Sequence, residues 1–156
     1  MKSKIKVMFV CLGNICRSPM AEFVMRDEIK RRGLDDVIEA SSSATSYEEY
    51  GNPVYPPAVN KMKREGVTIY PHRATPLQKE DYGKYDLFVG MEEYNLRRMR
   101  NIFGGDPEGK ISKLLDYTHT GGDIADPWYS GNFDKTYDEV VKGVDGLISY
   151  ILANKL

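Results

Sequence analysis

The chain has 156 residues, with 22 Lys or Arg against 23 Asp or Glu and a formal net charge of −1. Its length suits one domain, and its 41% hydrophobic and 29% charged residues are typical of a globular protein rather than a disordered chain. The balanced charge argues against nucleic acid and acidic membrane surfaces as partners, because both attract an excess of positive charge. The longest apolar run, residues 7–12, is too short to span a membrane. Two cysteines cannot build a disulfide scaffold, so we expect a reducing, cytoplasmic setting.

Strand-like and helix-like patterns alternate along the chain. Residues 5–10 are almost continuously apolar, as in a strand that is buried on both faces. Pro19 suits the first turn of a following helix, and Gly33 suits the position just after its end. The complete prediction is a strand at 5–10, a helix that begins near residue 17 or 18 and stops at 33, a strand at 37–42, a loop at 45–57, a short helix from 58 to 66, a strand at 86–91, a helix at 92–102, a strand at 111–115, a loop at 121–134 and a last helix.

The last helix has the clearest pattern. Its apolar residues recur in steps of one and three, which places them on one face of a helix and leaves the other face polar. They are Tyr137, Val140, Val141, Val144, Leu147, Ile148, Ile151 and Leu152.

The alternation of elements predicts an α/β fold in a single domain over residues 1–156. Four strands would form a parallel sheet with helices on both faces, in a doubly wound arrangement. Ligands bind such folds beyond the carboxyl ends of the strands. Residue 11 would lie at that edge, so the loop between the first strand and the first helix is the candidate site.

The sequence CLGNICRSP, from Cys11 to Pro19, has the features of an anion-binding loop. Gly13 and Asn14 tolerate the positive φ that a tight ring of inward-pointing amides requires. The following helix would add the positive end of its dipole and its free N–H groups. The loop therefore predicts a nest for a tetrahedral dianion such as phosphate. The predicted phosphate-binding residues are Leu12, Gly13, Asn14, Ile15, Cys16 and Ser18.

Cys11 and Arg17 would supply the chemistry of this loop. The planar guanidinium of Arg17 can hold two phosphoryl oxygens at once. The same positive field favours the thiolate form of Cys11, which could attack a bound phosphoryl group in line. A Walker A loop is excluded, because the required Gly-Lys-Ser/Thr is absent. Zinc is disfavoured, because His72 and His119 are isolated and the two cysteines have the wrong spacing for a ligand pair.

A leaving alcohol or phenol needs a proton, and Asp126 is the candidate donor. Pro127 keeps the backbone of Asp126 extended. Trp128 and Tyr129 could wall a slot for an aromatic substrate. Taken alone, Asp-Pro more often marks only a turn.

Together, these segments resemble the low-molecular-weight protein tyrosine phosphatases. The resemblance rests on VCLGNICRSP at 10–19 and DPWY at 126–129, and it continues through 42–46, 51–53, 72–74 and 91–96. It implies that Cys11 becomes a cysteinyl-phosphate and that Arg17 binds the phosphoryl oxygens through the transfer. Asp126 would act as general acid and then as general base. Ser18 would stabilise the thiolate as attacker and as leaving group.

The resemblance also implies supporting roles around the loop. Asn14 would hold a left-handed turn through hydrogen bonds to partners that match Ser42 and His72. Two interpretations of Cys16 stay open: it packs beneath the loop, or it captures oxidised Cys11 as a disulfide.

One position departs from the family's pattern. Where the family often has an aromatic residue, this chain has Glu48, between Tyr47 and Tyr50. Either tyrosine could fill the substrate wall beside Trp128 and Tyr129, or the pocket rim could be more acidic than usual. The preference among substrates therefore stays open.

Three other functions fit the loop less well. Arsenate reductases on this scaffold need further cysteines far from the loop, and this chain has none after Cys16. Phosphoarginine phosphatases carry a threonine where this chain has Ile15, whose apolar side chain suits an aryl ring. A non-catalytic phosphate-binding module could lack Cys11 or Asp126, and both are present. We therefore predict a cytoplasmic, monomeric phosphatase without metal or cofactor, which acts on tyrosine-phosphorylated proteins and releases inorganic phosphate.

Overall fold

Four parallel strands form one sheet in the order β2-β1-β3-β4 in the computed structural model, which describes residues 4–155. The two ends of the predicted domain, residues 1–3 and 156, lie outside the described residues. The strands are β1 (Ile5–Cys11), β2 (Ile38–Ala44), β3 (Leu87–Gly90) and β4 (Ile111–Lys113). The predicted α/β class and parallel four-stranded sheet are confirmed.

Helices cover both faces of the sheet, as predicted. They are α1 (Arg17–Arg31), α2 (Pro56–Arg64), α3 (Glu93–Phe103), α4 (Pro127–Ser130) and α5 (Phe133–Asn154). The larger apolar cluster joins one face of the sheet to α1, α2 and α5, and a smaller cluster joins the other face to α3. No helix within residues 4–155 is long and apolar enough to cross a bilayer.

The strand register brings the carboxyl ends of three strands to one edge of the sheet. Cys11 pairs with Ala44 of β2, and Val10 pairs with Gly90 of β3. The backbone continues this contact beyond the strands, because the amide of Thr45 donates to the carbonyl of Cys11 at 3.0 Å. The loop that follows Cys11 therefore lies against the segments that follow β2 and β3.

Several predicted boundaries shift by one or two residues, and two predicted segments contain helices that the patterns missed. Local hydrogen bonds explain these two. The predicted strand at 111–115 ends at Lys113, because a 3₁₀ helix (Leu114–Tyr117) begins there and the Lys113 amide donates to Asp116 at 2.9 Å. The predicted loop at 121–134 contains α4 and the start of α5. The side chains of Asp126 and Asn132 cap these helices by accepting backbone N–H groups, which offsets the cost of starting them.

The apolar stripe of α5 is only partly buried. Val141 and Leu152, which the pattern placed on the packed face, are 37% and 42% exposed. The pattern also missed a close contact between this helix and Tyr117, which a glycine permits. A Cβ on Gly146 would lie 2.0 Å from the carbonyl oxygen of Tyr117. The helix and the 3₁₀ segment therefore approach more closely than a side chain would allow.

Candidate active site

The loop between β1 and α1 owes its shape to a single left-handed residue. Asn14 has a φ of 60°, which only a few residue types besides glycine tolerate. Gly13 does not adopt the positive φ that its type suggested. Gly13 instead leaves room for the side chain of Glu49, because a Cβ at this position would lie 3.3 Å from Glu49 Cγ.

Asn14 is fully buried and every polar group of its side chain is used. Its Nδ2 donates to Ser18 Oγ at 2.8 Å and to Ser42 Oγ at 3.0 Å, and its Oδ1 accepts from the amide of Thr75 at 3.1 Å. Its backbone carbonyl accepts from His72 Nε2 at 2.8 Å. The structure thus brings the two predicted supporting residues, Ser42 and His72, to Asn14.

Sequence reasoning missed the next member of this network. Ser42 Oγ donates to Glu22 Oε1 at 2.6 Å, and the other oxygen of Glu22 accepts from Arg26 at 3.0 Å. Glu22 is only 7% exposed. Its one sequence signal is a carboxylate in the apolar part of α1, where a buried charge needs a partner.

Two polar groups lie within hydrogen-bond distance of the Cys11 sulfur. Its Sγ lies 2.9 Å from Ser18 Oγ, and the amide of Asn14 donates to it at 3.3 Å. Because Ser18 Oγ already accepts from the Asn14 side chain, its own proton is free to point at Cys11. Two donors on one buried sulfur stabilise a negative charge there.

Arg17 is buried and already bound to acidic and carbonyl oxygens. Its Nη1 donates to Glu92 Oε2 at 2.5 Å and to the carbonyl of Ile124 at 3.0 Å, while Nη2 lies 3.4 Å from Asp126 Oδ2. Burial opposes the charge, but the negative charges of Cys11 and Glu92 outweigh it and raise the pKa of Arg17 above its usual value. The guanidinium therefore stays charged beside the loop.

Glu92 is the second residue that sequence reasoning missed as part of the site. It lies two residues beyond the end of β3, at the same edge of the sheet as Cys11. That position, a carboxylate just past a strand's carboxyl end, is the signal that could have found it.

Asp126 is held at both of its carboxylate oxygens. Oδ1 accepts from the amide of Trp128 at 3.0 Å and caps α4, and Oδ2 faces Arg17. The carboxylate is 30% exposed, so it reaches both the buried guanidinium and the open pocket. A group in this position can give a proton to a leaving oxygen and later take one from water.

A pocket of about 190 Å³ opens over the loop. The aromatic wall is Trp128, whose ring centroid lies 4.8 Å from that of Tyr55, together with Tyr129. The pocket lining consists of residues 11–17, Glu48, Glu49, Asp126, Trp128 and Tyr129.

Tyr47 and Tyr50, the other two residues of the predicted substrate wall, lie outside the pocket lining. Both side chains are more than 60% exposed, at 63% and 68%, and neither lines the pocket. The hydroxyl of Tyr47 instead accepts from Gln78 Nε2 at 3.1 Å, outside the pocket. Glu48 and Glu49, between the two tyrosines, do line the pocket, so this side of the lining is acidic.

Cys16 is a buried free thiol at the start of α1. Burial raises the pKa of Cys16 to about 12, and the negative charges of Cys11 and Asp126 act in the same direction. It therefore stays protonated at neutral pH, unlike a sulfur that serves as a nucleophile.

A comparison with protein families settles the relationship of this site to known proteins. The sequence model of the family described as low molecular weight phosphotyrosine protein phosphatase matches residues 6–155. The chain belongs to this family. The family identification and the prediction of a phosphatase are thereby confirmed.

Relatives in this phosphatase family match the chain over almost its full length. The low molecular weight protein-tyrosine-phosphatase YfkJ of Bacillus subtilis is 34% identical over 153 residues, which cover 97% of this chain and 98% of the relative. PtpA of Staphylococcus aureus is 33% identical over 149 residues, covering 95% and 94%.

Solved structures show the same agreement in three dimensions. The crystal structure of YfkJ superposes with a TM-score of 0.95 and covers 99% of each chain. A protein tyrosine phosphatase from Entamoeba histolytica is 27% identical and superposes with a TM-score of 0.90, covering 98% of this chain and 100% of that one.

Proposed function

We propose that the chain hydrolyses phosphotyrosine in proteins through a cysteinyl-phosphate intermediate on Cys11. The observation that carries the proposal is the pair of hydrogen bonds to the Cys11 sulfur, from Ser18 and Asn14, at the base of a pocket that Asp126 borders. Family membership supports the same reaction class.

The first step transfers the phosphoryl group to sulfur. The loop amides and Arg17 hold the phosphoryl oxygens, and the Cys11 thiolate attacks phosphorus opposite the tyrosine oxygen. A P–S bond forms while the P–O bond to tyrosine breaks. Asp126, in its protonated form, gives its proton to the departing phenolate oxygen.

The second step returns the enzyme to its starting state. Asp126, now a carboxylate, takes a proton from water as the water oxygen attacks phosphorus. The P–S bond breaks, inorganic phosphate leaves, and Cys11 departs as a thiolate that Ser18 stabilises. No metal or cofactor enters either step.

The walls of the pocket support an aryl substrate. The ring of Trp128 packs against that of Tyr55, and Ile15 adds an apolar side chain to the lining. An aromatic ring can pack between such side chains, while Ile15 offers no hydroxyl to a phosphorylated guanidinium. Phosphotyrosine is therefore favoured over phosphoarginine.

We also propose where the enzyme acts, in which assembly state and with which partners. The enzyme acts as a monomeric single domain over residues 1–156 in the cytoplasm, on phosphoproteins, without nucleic acid or a membrane as partner. The balanced composition and the two free cysteines support this setting.

A panel of substrates tests the proposal. Peptides with phosphotyrosine, phosphoserine or phosphoarginine, and arsenate with a thiol reductant, are assayed in the presence of a chelator. We expect turnover of phosphotyrosine alone, with a burst of phenol product if hydrolysis of the intermediate limits the rate. If the enzyme turns over phosphoarginine or arsenate faster than phosphotyrosine, the proposal is wrong and the enzyme is a phosphoarginine phosphatase or an arsenate reductase.

The variant Cys11→Ser tests the nucleophile in the same panel. It should lose turnover and still bind phosphotyrosine peptide, because the loop amides and Arg17 remain. Turnover that survives in this variant would contradict the assignment of Cys11.

A further inference from the structure

Residues 47–50, Tyr-Glu-Glu-Tyr, are called the rim segment. Its two glutamates line the pocket, and its two tyrosines are exposed on either side of them. The ring centroids of Tyr47 and Tyr50 lie 6.4 Å apart. Nothing in the two-step reaction above uses any of these side chains.

The two glutamates differ in how firmly they are held. Glu49 accepts from Asn52 Nδ2 at 2.6 Å, and its Cγ lies over Gly13. The side chain of Glu48 is exposed, and only its backbone amide is bound, to Ser46 Oγ at 3.0 Å. Among the ion pairs of residues 4–155, none involves either carboxylate.

Within the described part of the chain, Arg17 is the one positively charged residue of the pocket lining, against Glu48, Glu49 and Asp126. Arg17 is bound to Glu92 and faces Asp126, so little of its charge reaches the mouth. Arg73 donates to the carbonyl of Gly51 and does not line the pocket. The mouth that a protein substrate meets is therefore acidic.

We propose that the rim segment binds Lys or Arg side chains next to the phosphotyrosine, so that the enzyme prefers phosphotyrosine in basic sequences. This inference rests on the proposed function. The carboxylates of Glu48 and Glu49 attract these cations, and the faces of Tyr47 and Tyr50 offer cation–π contacts. Exposed tyrosines also supply contact area at a low cost in side-chain entropy.

The expected preference follows from the exposure of the charges. A solvent-exposed ion pair changes binding only a few-fold, so two carboxylates should favour a basic peptide by about fivefold to tenfold at low salt. The Debye length falls from about 30 Å at 0.01 M to about 10 Å at 0.1 M ionic strength, so the preference should shrink as salt is added.

Two phosphotyrosine peptides of equal length test this proposal, one with Lys and one with Glu at the flanking positions. The measured quantity is the ratio of their kcat/KM values, which cancels any general change in activity. We expect the wild-type ratio to favour the basic peptide by about fivefold to tenfold, and Glu48→Lys to bring it below about twofold. Glu48→Gln should give an intermediate ratio and serves if the charge reversal disturbs folding.

Asp36→Lys is the matched control. Asp36 is exposed and precedes β2 at its amino end, roughly 20 Å along the strand from the pocket. Asp36→Lys makes the same change of charge as Glu48→Lys but far from the pocket, so it should leave the peptide ratio unchanged.

Two results would overturn the preference for basic sequences. One is a wild-type ratio near one, or in favour of the acidic peptide. The other is a ratio that Glu48→Lys and Glu48→Gln leave unchanged in folded protein. Failure to hydrolyse either peptide would instead overturn the proposed function, and turnover of nitrophenyl phosphate would show that the preparation is active.

Discussion

Arg17 and Glu92 are joined by a hydrogen bond of 2.5 Å between Nη1 and Oε2. Glu92 is in turn fixed at the start of α3, because its amide donates to Asn95 Oδ1 at 3.0 Å. The guanidinium at the end of the loop between β1 and α1 is thus oriented by the segment that follows β3. We infer that Glu92 is a positioning residue for Arg17.

Glu92→Gln should weaken the binding of oxyanions. The amide keeps an acceptor for Arg17 but loses the charge, and a hydrogen bond to a charged group contributes about 1.5–3 kcal/mol. Because Glu92 is partly exposed, we expect the smaller part of that range, about a tenfold rise in the inhibition constant of inorganic phosphate and in KM. Steady-state kinetics with phosphate as inhibitor measures this.

Glu93→Gln is the control for this prediction. Glu93 is the exposed neighbour of Glu92. Its Oε2 lies 3.6 Å from Lys113 Nζ and does not contact Arg17. It should keep the wild-type inhibition constant. An equal change in both variants would mean that the effect is general electrostatics and not the position of Arg17.

Asp126→Asn should slow poor leaving groups more than good ones. The amide keeps the cap on α4 but cannot donate a carboxylic proton, and general acid catalysis contributes about 10²–10⁴-fold. We expect a loss in that range for phosphotyrosine and a much smaller loss for nitrophenyl phosphate, whose leaving group needs little protonation. Asp123→Asn, nearby on the surface, should behave like the wild type. Equal losses on both substrates would exclude Asp126 as the acid.

Cys16→Ser should remove reversible recovery from oxidation. In the wild type, the thiol of Cys16 would attack the sulfenic acid of Cys11, releasing water and forming a disulfide that added thiol can reduce. The pKa of about 12 for Cys16 keeps its thiolate scarce, so capture should speed up as the pH rises. Activity after peroxide and then dithiothreitol measures recovery. If both forms recover equally, Cys16 only packs beneath the loop.

Gly146→Ala should destabilise the fold, although the same change in an ordinary exposed helix gains up to about 1 kcal/mol. The new Cβ would lie 2.0 Å from the Tyr117 carbonyl oxygen, and overpacking of this kind costs about 1–3 kcal/mol. Urea unfolding should show the loss. Ser149→Ala is the control: Ser149 is exposed on the same helix, so the change should be neutral or slightly stabilising. If Gly146→Ala is as stable as the wild type, α5 can move away from Tyr117 at little cost.

Asp106 should stabilise the fold at neutral pH and lose this effect in acid. Burial opposes its charge, but hydrogen bonds from Tyr82 and from the amides of Lys110 and Ile111 lower the pKa of Asp106 below its ordinary value of 3.8. A lowered folded pKa means that the stabilisation is complete above the unfolded value and disappears as the pH falls through the folded one. Asp106→Asn should therefore lower Tm at pH 7, and the difference should narrow below about pH 4. A constant difference across pH would point to packing instead.

Local patterns predicted the elements and the loop, and long-range contacts account for what they missed. The alternation of strands and helices and the Cys-x5-Arg spacing are features of neighbouring residues, so the sequence carries them directly. The pairing of Glu92 with Arg17 spans 75 positions, and the clash that keeps Gly146 a glycine comes from a separate element. The hydrogen bond between Tyr47 and Gln78 likewise joins residues that are 31 positions apart. Such contacts form only after the chain has folded.

The hydrogen bonds of Asn14 have a consequence for the speed and thermodynamics of oxyanion binding. Because Ser18, Ser42, Thr75 and His72 hold this residue in its left-handed conformation, the loop backbone around it has little freedom to rearrange. An arriving phosphoryl group therefore meets a rigid receptor, and little conformational entropy is lost when it docks. Capture should be limited by diffusion and desolvation rather than by rearrangement of the loop.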